Sequence, residues 1–259
     1  MKERATSLQL NDQVSIHDLS NDICVLHLCG PKAPVLLNAI EPRAVTGDTT
    51  EEGKLKFMSA RKINHFGGVA DLEVNIFRVS FSGLQGYEMH VQQKDSLALH
   101  DLISTSEAAT FNQMIHFGSV ALNGLRIEQG FKIAADMNMA HYQEGGIGPF
   151  VSKKRGFVGR DDEFVAEKKC IMLEVDTEEG WEWSLPGDTP IVRKSDSKVV
   201  GYVSSSAYGI QTEKTIAIGY MYDGEDGEGL EDLYVDSYGF NWSCRVLKEP
   251  PVEMCGRID

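Results

Sequence analysis

The spacing of apolar residues changes along the chain and divides it. In "ICVLHLCG" (23–30), Val25, His27 and Cys29 alternate with Leu26 and Leu28 and end at Gly30, the period-two pattern of a half-buried strand. With the preceding "VSIHDLSND" it reads as strand, turn and second strand. "PKAPVLLNAI" (31–40) predicts a helix with Pro31 near its start, where a missing N–H does no harm. "LEVNIFRVSF" (72–81) and "YEMHVQQ" (87–93) alternate again, and the intervening "SGLQG" has hairpin length and two glycines. "KDSLALHDLISTS" predicts an amphipathic helix with Leu97, Leu99 and Leu102 near one side. A further helix is expected over Gly118–Gln129, where Ala121, Leu122 and Leu125 recur at helical spacing and Gly130 is a stop.

Past about residue 165 the pattern changes. "KCIMLEVD", "TPIVRK", "KVVGYVSSSAY", "KTIAIGYMY" and "YGFNWSCRVL" are short strands between Gly, Asp, Ser and Pro turns, which points to a β-barrel or sandwich. Residues 137–163 are polar and glycine-rich and read as a long ordered connector. The expected fold is α+β: a body of helices and hairpins over 1–164, then a β-barrel-like domain over 165–259.

Composition narrows the function classes. Of 259 residues, 42% are hydrophobic and 25% charged, an ordinary globular balance. Asp plus Glu number 39 against 25 Lys plus Arg, for a net charge of -14. Such a surface repels phosphate backbones and anionic lipid, so neither nucleic acid nor membrane is an expected partner. No apolar run has membrane-spanning length. Cys24, Cys29, Cys170, Cys244 and Cys255 are scattered, odd in number and form no C-x-x-C, which suggests thiols in a reducing compartment. The seven histidines form no metal-ligand motif, and no metal is expected. No Walker A, G-x-S-x-G or strand-led G-x-G-x-x-G occurs, so no flavin or nucleotide is expected to be bound by this chain alone.

One acid stands out. Glu128, in "NGLRIEQGF", sits in the last turn of its expected helix, against the negative end of the macrodipole, at a cost of about 0.3–1 kcal/mol. A solvated surface Glu tolerates that cost. A carboxylate that accepts two parallel N–H donors more than recovers it.

Four segments, in order, carry a resemblance. They are "RVSFSGLQGYEMHV" (78–91), "FGSVALNGLRIEQGF" (117–131), "GFVGRDD" (156–162) and "PGDTPIVRKSDSKVVGYVSSSAYG" (186–209). Together they resemble the folate-binding C-terminal region of dimethylglycine and sarcosine dehydrogenases and the related glycine-cleavage T protein, an aminomethyltransferase. The resemblance implies tetrahydrofolate as cofactor and capture of a one-carbon unit as methylenetetrahydrofolate, with an amine-oxidising flavoprotein domain or subunit as its source. Carried over position by position, it implies that Glu128 binds the pterin, whose N3–H and 2-amino group present two donors side by side. It implies that Arg160 lies near the glutamate end of folate and that Phe81 lies near the pterin ring. Read alone, Gly159-Arg160 is a turn with a surface Arg, and Phe81 is a core strand residue. The family module is expected to extend further toward its N-terminus than this chain, and no residue here matches its catalytic acid, so catalytic residues are not assigned. The connector reads "DMNMAHYQEGGIGPFV" (136–151), in which the family's "P-L-E-A-G" element is replaced. A module incomplete for catalysis alone is one expectation. The other is a non-catalytic paralogue or fragment acting as a binding or regulatory subunit, as the regulatory subunit of pyruvate dehydrogenase phosphatase does within the family. The cytoplasm or the mitochondrial matrix suits either reading.

Overall fold

A computed structural model describes residues 2–8, 13–46, 53–138, 140–154, 163–177, 184–222 and 232–252. Their contacts form two compact units, one from 1–80 with 85–115, the other from 81–84 with 116–255.

The first unit holds a short helix α1 (Lys2–Ser7), then β1 (Ile23–Cys29), α2 (Ala33–Ile40), β2 (Ala60–Ile63), β3 (Val74–Phe77), β4 (Gly86–Gln92), α3 (Ser96–Ser104) and α4 (Glu107–Phe111). Its sheet is antiparallel throughout, in the order β1-β4-β3-β2. Alternation does its expected work: Leu28, Val74, Ile76, Tyr87, Met89 and Val91 are buried in one cluster with Leu36 and Leu37 of α2 and Leu99 and Ile103 of α3. Val25, on the opposite face of β1, is exposed.

The local differences have local causes. Residues 14–19 make no ladder, so the expected first strand before the turn is absent. Helix α2 begins after Pro31, and it is Pro34 that occupies its first turn. The buried side of α3 is Leu99 and Ile103, four residues apart, while Leu97 is exposed. The strand expected over 72–81 ends at Phe77, which leaves Phe81 in the following loop.

The second unit is built on a closed six-stranded barrel. After α5 (Ser119–Glu128) come β5 (Lys168–Val175), β6 (Pro190–Arg193), β7 (Lys198–Gly209), β8 (Lys214–Tyr222), β9 (Leu233–Ser237) and β10 (Phe240–Leu247). They close in the order β10-β5-β8-β7-β6-β9. Strand β9 was not expected, yet it joins β6 to β10 and removes the sheet edges. Leu173, Val175, Ile191, Val203, Ala217, Met221, Leu233, Val235 and Trp242 fill the interior.

Alternate residues of β8 and β7 point outward instead. Ile216, Ile218 and Ala207 form a second cluster with Ile127 of α5. Gly124 lets the helix come close, since a Cβ there would already stand 3.4 Å from the Tyr208 carbonyl oxygen. The helix ends as its sequence foretold. Gly130 takes φ +64, and the N–H groups of Gly130 and Phe131 close back on the carbonyls of Ile127 and Arg126, the pairing of a Schellman stop.

Candidate functional site

The last turn of α5 carries a concentration of buried polar groups. Arg126, Glu128 and Gln129 are buried, and each faces a different element.

Arg126 is the staple. Its Nε donates to Asn123 Oδ1 at 2.8 Å, its Nη1 to Asp136 Oδ2 at 2.5 Å and its Nη2 to Ser205 Oγ at 3.1 Å. Asp136 is fully used as well. Its Oδ2 also accepts from the Ile133 N–H, and its Oδ1 accepts from the hydroxyls of Ser204 and Ser205. A bulge between Val203 and Ser205 makes that possible, because the inserted residue lets two successive side chains reach one acceptor. Tyr220 completes the set by donating its hydroxyl to the Asp136 carbonyl at 2.8 Å. Burial lowers the Arg126 pKa from its ordinary value, and the Asp136 carboxylate opposes that shift.

Glu128 is fully buried. Its Oε1 accepts from the N–H of Gln211 at 2.9 Å, the N–H of Thr212 at 2.9 Å and the hydroxyl of Thr212 at 3.0 Å. The carboxylate thus clamps the β7–β8 turn to the helix end, and three donors offset its unfavourable place on the macrodipole. Gly209 makes the clamp possible, for a Cβ there would stand 2.4 Å from Glu128 Oε1 and 2.2 Å from Thr212 Oγ1. The glycine of "SSSAYG" and the acid of "LRIE" are therefore parts of one construction. The other oxygen, Oε2, is buried and has no hydrogen-bond partner.

Gln129 donates its side-chain amide to the carbonyl of Ser82 at 3.0 Å and of Leu125 at 3.2 Å, while its Oε1 is buried without a partner. This holds the 81–84 loop, where Gly83 at φ +81 leaves room for the amide. Phe81 projects from that loop, 41% exposed, its ring centroid 6.3 Å from that of Phe131. Phe81 is a surface loop aromatic here, not a core strand residue. Glu128 and Phe81 thus belong to the same unit, at the helix end and in a loop held by the next residue, Gln129. Arg160 lies outside the described residues.

Sequence reasoning missed Arg126, Asp136, Gly209 and Gln129 as participants. Arg126 and Asp136 stand ten residues apart in "NGLRIEQGFKIAAD", which also holds Glu128 and Lys132, and no spacing there marks which charges pair. Among the described residues no cluster of His, Cys, Asp and Glu is able to hold a metal ion, and no helix is long and apolar enough to cross a membrane.

Two family models cover most of the chain. Residues 1–155 match the GCVT N-terminal domain and residues 168–253 the glycine cleavage T-protein C-terminal barrel domain. The chain belongs to the glycine cleavage T-protein family. Within the family it is 25% identical to the mitochondrial dimethylglycine dehydrogenase of Rattus norvegicus, covering 92% of this chain and 27% of that protein. It is 26% identical to the Homo sapiens counterpart with the same coverage. Sarcosine oxidase subunit alpha of Rhizobium meliloti is 24% identical, covering 95% of this chain and 24% of that protein. The chain therefore spans about a quarter of the length of these relatives. The fold matches the crystal structure of aminomethyltransferase T from Bartonella henselae with a TM-score of 0.62 and 17% identity, over 90% of this chain and 60% of that one.

Proposed function

We propose that the chain is a tetrahydrofolate-binding module of one-carbon transfer that works beside an amine-oxidising flavoprotein domain or subunit. The observation that carries this reading is Glu128 Oε2, a fully buried carboxylate oxygen without a donor, next to an Oε1 that has three. A buried acceptor left unpaired costs about 1–3 kcal/mol or more when charged. A ligand that brings an N–H donor to it recovers that cost. The pterin edge offers two adjacent donors, and Oε2 takes one of them, because the other prong of the carboxylate already holds the β7–β8 turn.

The remaining residues divide the work. Arg126 and Asp136 fix the helix end, Gln129 fixes the loop that bears Phe81, and Phe81 supplies an exposed ring against which a flat heterocycle packs. Arg160 is assigned to the glutamate end of the ligand on the resemblance alone. Bound tetrahydrofolate supplies the nucleophilic nitrogens that take up a one-carbon unit at the formaldehyde level. The chain's own contribution is orientation and a fixed electrostatic environment. No residue is assigned as catalytic. The mitochondrial names of the relatives favour the matrix as location.

A second reading rests on the same carboxylate. Glu128 is closed to solvent and already serves as a turn clamp. On that reading the acid is kept for structure, and the chain is a non-catalytic binding or regulatory subunit. Anaerobic titration with tetrahydrofolate, followed through Trp181, Trp183 and Trp242 fluorescence, decides between them. Saturable quenching supports folate binding, and its absence supports the second reading.

A further inference from the structure

The four-stranded sheet of the first unit has two edges, and they differ. Strand β2, at one edge, is only four residues long and carries Arg61 and Lys62, the usual protection of an edge. Strand β1, at the other edge, runs for seven residues as "ICVLHLC", without a charged residue, a proline or a glycine. Its register with β4 is unbroken from the Ile23–Gln92 pair to the Cys29–Gly86 pair, so no bulge turns it away. It is a regular, apolar edge of the kind that takes up a further strand.

The register fixes which backbone groups face outward. Gln93 donates its N–H to the Asp22 carbonyl, and Gly30 donates to the Gln85 carbonyl, both at 2.8 Å. Bonded and non-bonded pairs alternate along an antiparallel ladder, so the even-numbered residues of β1 are the ones that bond β4. The odd-numbered residues point their N–H and C=O groups away from it. Ile23 turns its N–H back to the Leu19 carbonyl at 3.1 Å. Val25 and His27 follow at the centre of the strand, and their outward N–H and C=O groups have no hydrogen-bond partner among the described residues. Val25 is also 47% exposed, which leaves these groups within reach of a partner.

We propose that β1 pairs with β1 of a second copy of this chain, antiparallel across a two-fold axis at Leu26. In that register the Val25 N–H meets the His27 carbonyl of the second copy, and the Val25 carbonyl meets its His27 N–H. The two-fold repeats both bonds. On the core side Leu26 meets Leu26 of the second copy and Leu28 meets its Cys24, which extends the apolar layer that these residues already join. This self-complementarity favours a second copy over an unrelated segment. Charge permits the pairing. The net charge of -14 opposes self-association in general, but β1 carries no acid, and burial lowers the His27 pKa and so favours its neutral form. Glu88 lies opposite His27 on β4, and the two copies of Glu88 would stand about 16 Å apart, from strand spacing and rise, beyond the screening length of about 8 Å at physiological ionic strength. One strand pair buries less than the roughly 1,200 Å² of a standard interface, so the dimer is weak and concentration-dependent. It closes on itself, because the β2 edge offers no second site. The pairing is independent of folate binding.

The test is sedimentation velocity of the whole chain under reducing conditions, at concentrations up to about 1 mM. A reversible dimer with a dissociation constant on the order of 100 μM is expected. Val25→Pro removes an outward N–H where an edge strand tolerates proline, and should weaken the dimer by about tenfold or more. Val25→Thr keeps the N–H and should leave the dimer unchanged. Leu26→Cys reads the register. The two substituted side chains would face each other at the axis as a non-hydrogen-bonded pair, with Cα atoms about 4.5 Å apart, within disulfide reach. Mild oxidation should then give a linked dimer, with peptide mapping placing the bridge at position 26 of both copies. Where circular dichroism shows that Val25→Pro does not fold, this cross-link decides. Wild-type dimerisation in folded Val25→Pro, loss of the dimer in folded Val25→Thr, or no bridge at position 26 in Leu26→Cys would each overturn the proposal. A wild type that stays monomeric at about 1 mM would overturn it as well, and would leave the edge to an extended segment of another protein.

Discussion

Replacing Arg126 by Met removes the guanidinium while keeping most of its apolar stem. Asp136 is then left with its side chain fully buried and its charge opposed only by one backbone N–H and two serine hydroxyls. Removing one partner of a buried ion pair costs about 3–5 kcal/mol, chiefly the penalty of the stranded charge. The upper half of that range is expected here, because Arg126 also bonds Asn123, Ser205 and the Phe131 carbonyl. Asp136→Asn should cost less, since the amide oxygen can still accept. The double variant should recover at least about 1.5 kcal/mol of the summed single losses, as contacting residues do. The assay is urea denaturation followed by circular dichroism and by tryptophan fluorescence, read as separate transitions if the two units unfold separately. A loss below about 1 kcal/mol for Arg126→Met, or strict additivity in the double variant, would refute the staple.

Three further outcomes follow from other parts of the chain. Gly209→Ala should destabilise by about 1–3 kcal/mol in chemical denaturation, because its Cβ would stand 2.2 Å from Thr212 Oγ1; a neutral result would mean that the β7–β8 turn is free to shift. Burial pushes the thiols of Cys170 and Cys244 up to about 11 and about 12, so both should alkylate slowly at neutral pH, with Cys170 labelling rising as pH approaches 11. Mass spectrometry that finds either fully labelled within minutes at pH 7 would count against this packing. His27 is lowered by burial, with Glu88 opposing. Its folded pKa lies below the unfolded value near 6.5, so its neutral form contributes stability that is present above pH 6.5 and is lost as pH falls through the folded value. His27→Gln should flatten the stability–pH curve between 6.5 and the folded value, and an unchanged slope there would refute the assignment.

The elements with strong periodicity were legible. The alternation of Leu26 and Leu28 gave β1, and the runs beginning at Lys169, Lys198 and Lys214 gave the barrel strands, because one buried face imposes its period on the sequence. The stop at Gly130 was legible because a left-handed residue there favours glycine. Strand β9 was missed because Leu233 and Val235 make too short an alternation to stand out beside β10. Leu97 misled because leucine at helical spacing does not say which side of the helix is covered.

Within the site, Glu128 was legible only as an electrostatic oddity at a helix end. Its main structural partners, Gln211 and Thr212, are 83 and 84 residues away and contribute backbone N–H groups, which no sequence pattern marks. The same holds for Gln129 and the Ser82 carbonyl. Gly209 was visible as a motif glycine, but the reason for it is the carboxylate it accommodates.

The account rests on Glu128 Oε2 as an acceptor for a ligand donor, and equilibrium binding of tetrahydrofolate to wild type and Glu128→Gln tests it most directly. The substitution turns one carboxylate oxygen into an amide donor and removes the charge. With the amide oxygen retained toward the turn, the new N–H groups face the pterin donors. The expected loss is about 1.5–3 kcal/mol, or roughly 10- to 150-fold in affinity, with the fold verified by circular dichroism. Wild-type binding with that loss in the variant is the predicted result. Equal affinity in the two proteins, or no binding by the wild type, would contradict the account and leave Glu128 as a clamp alone.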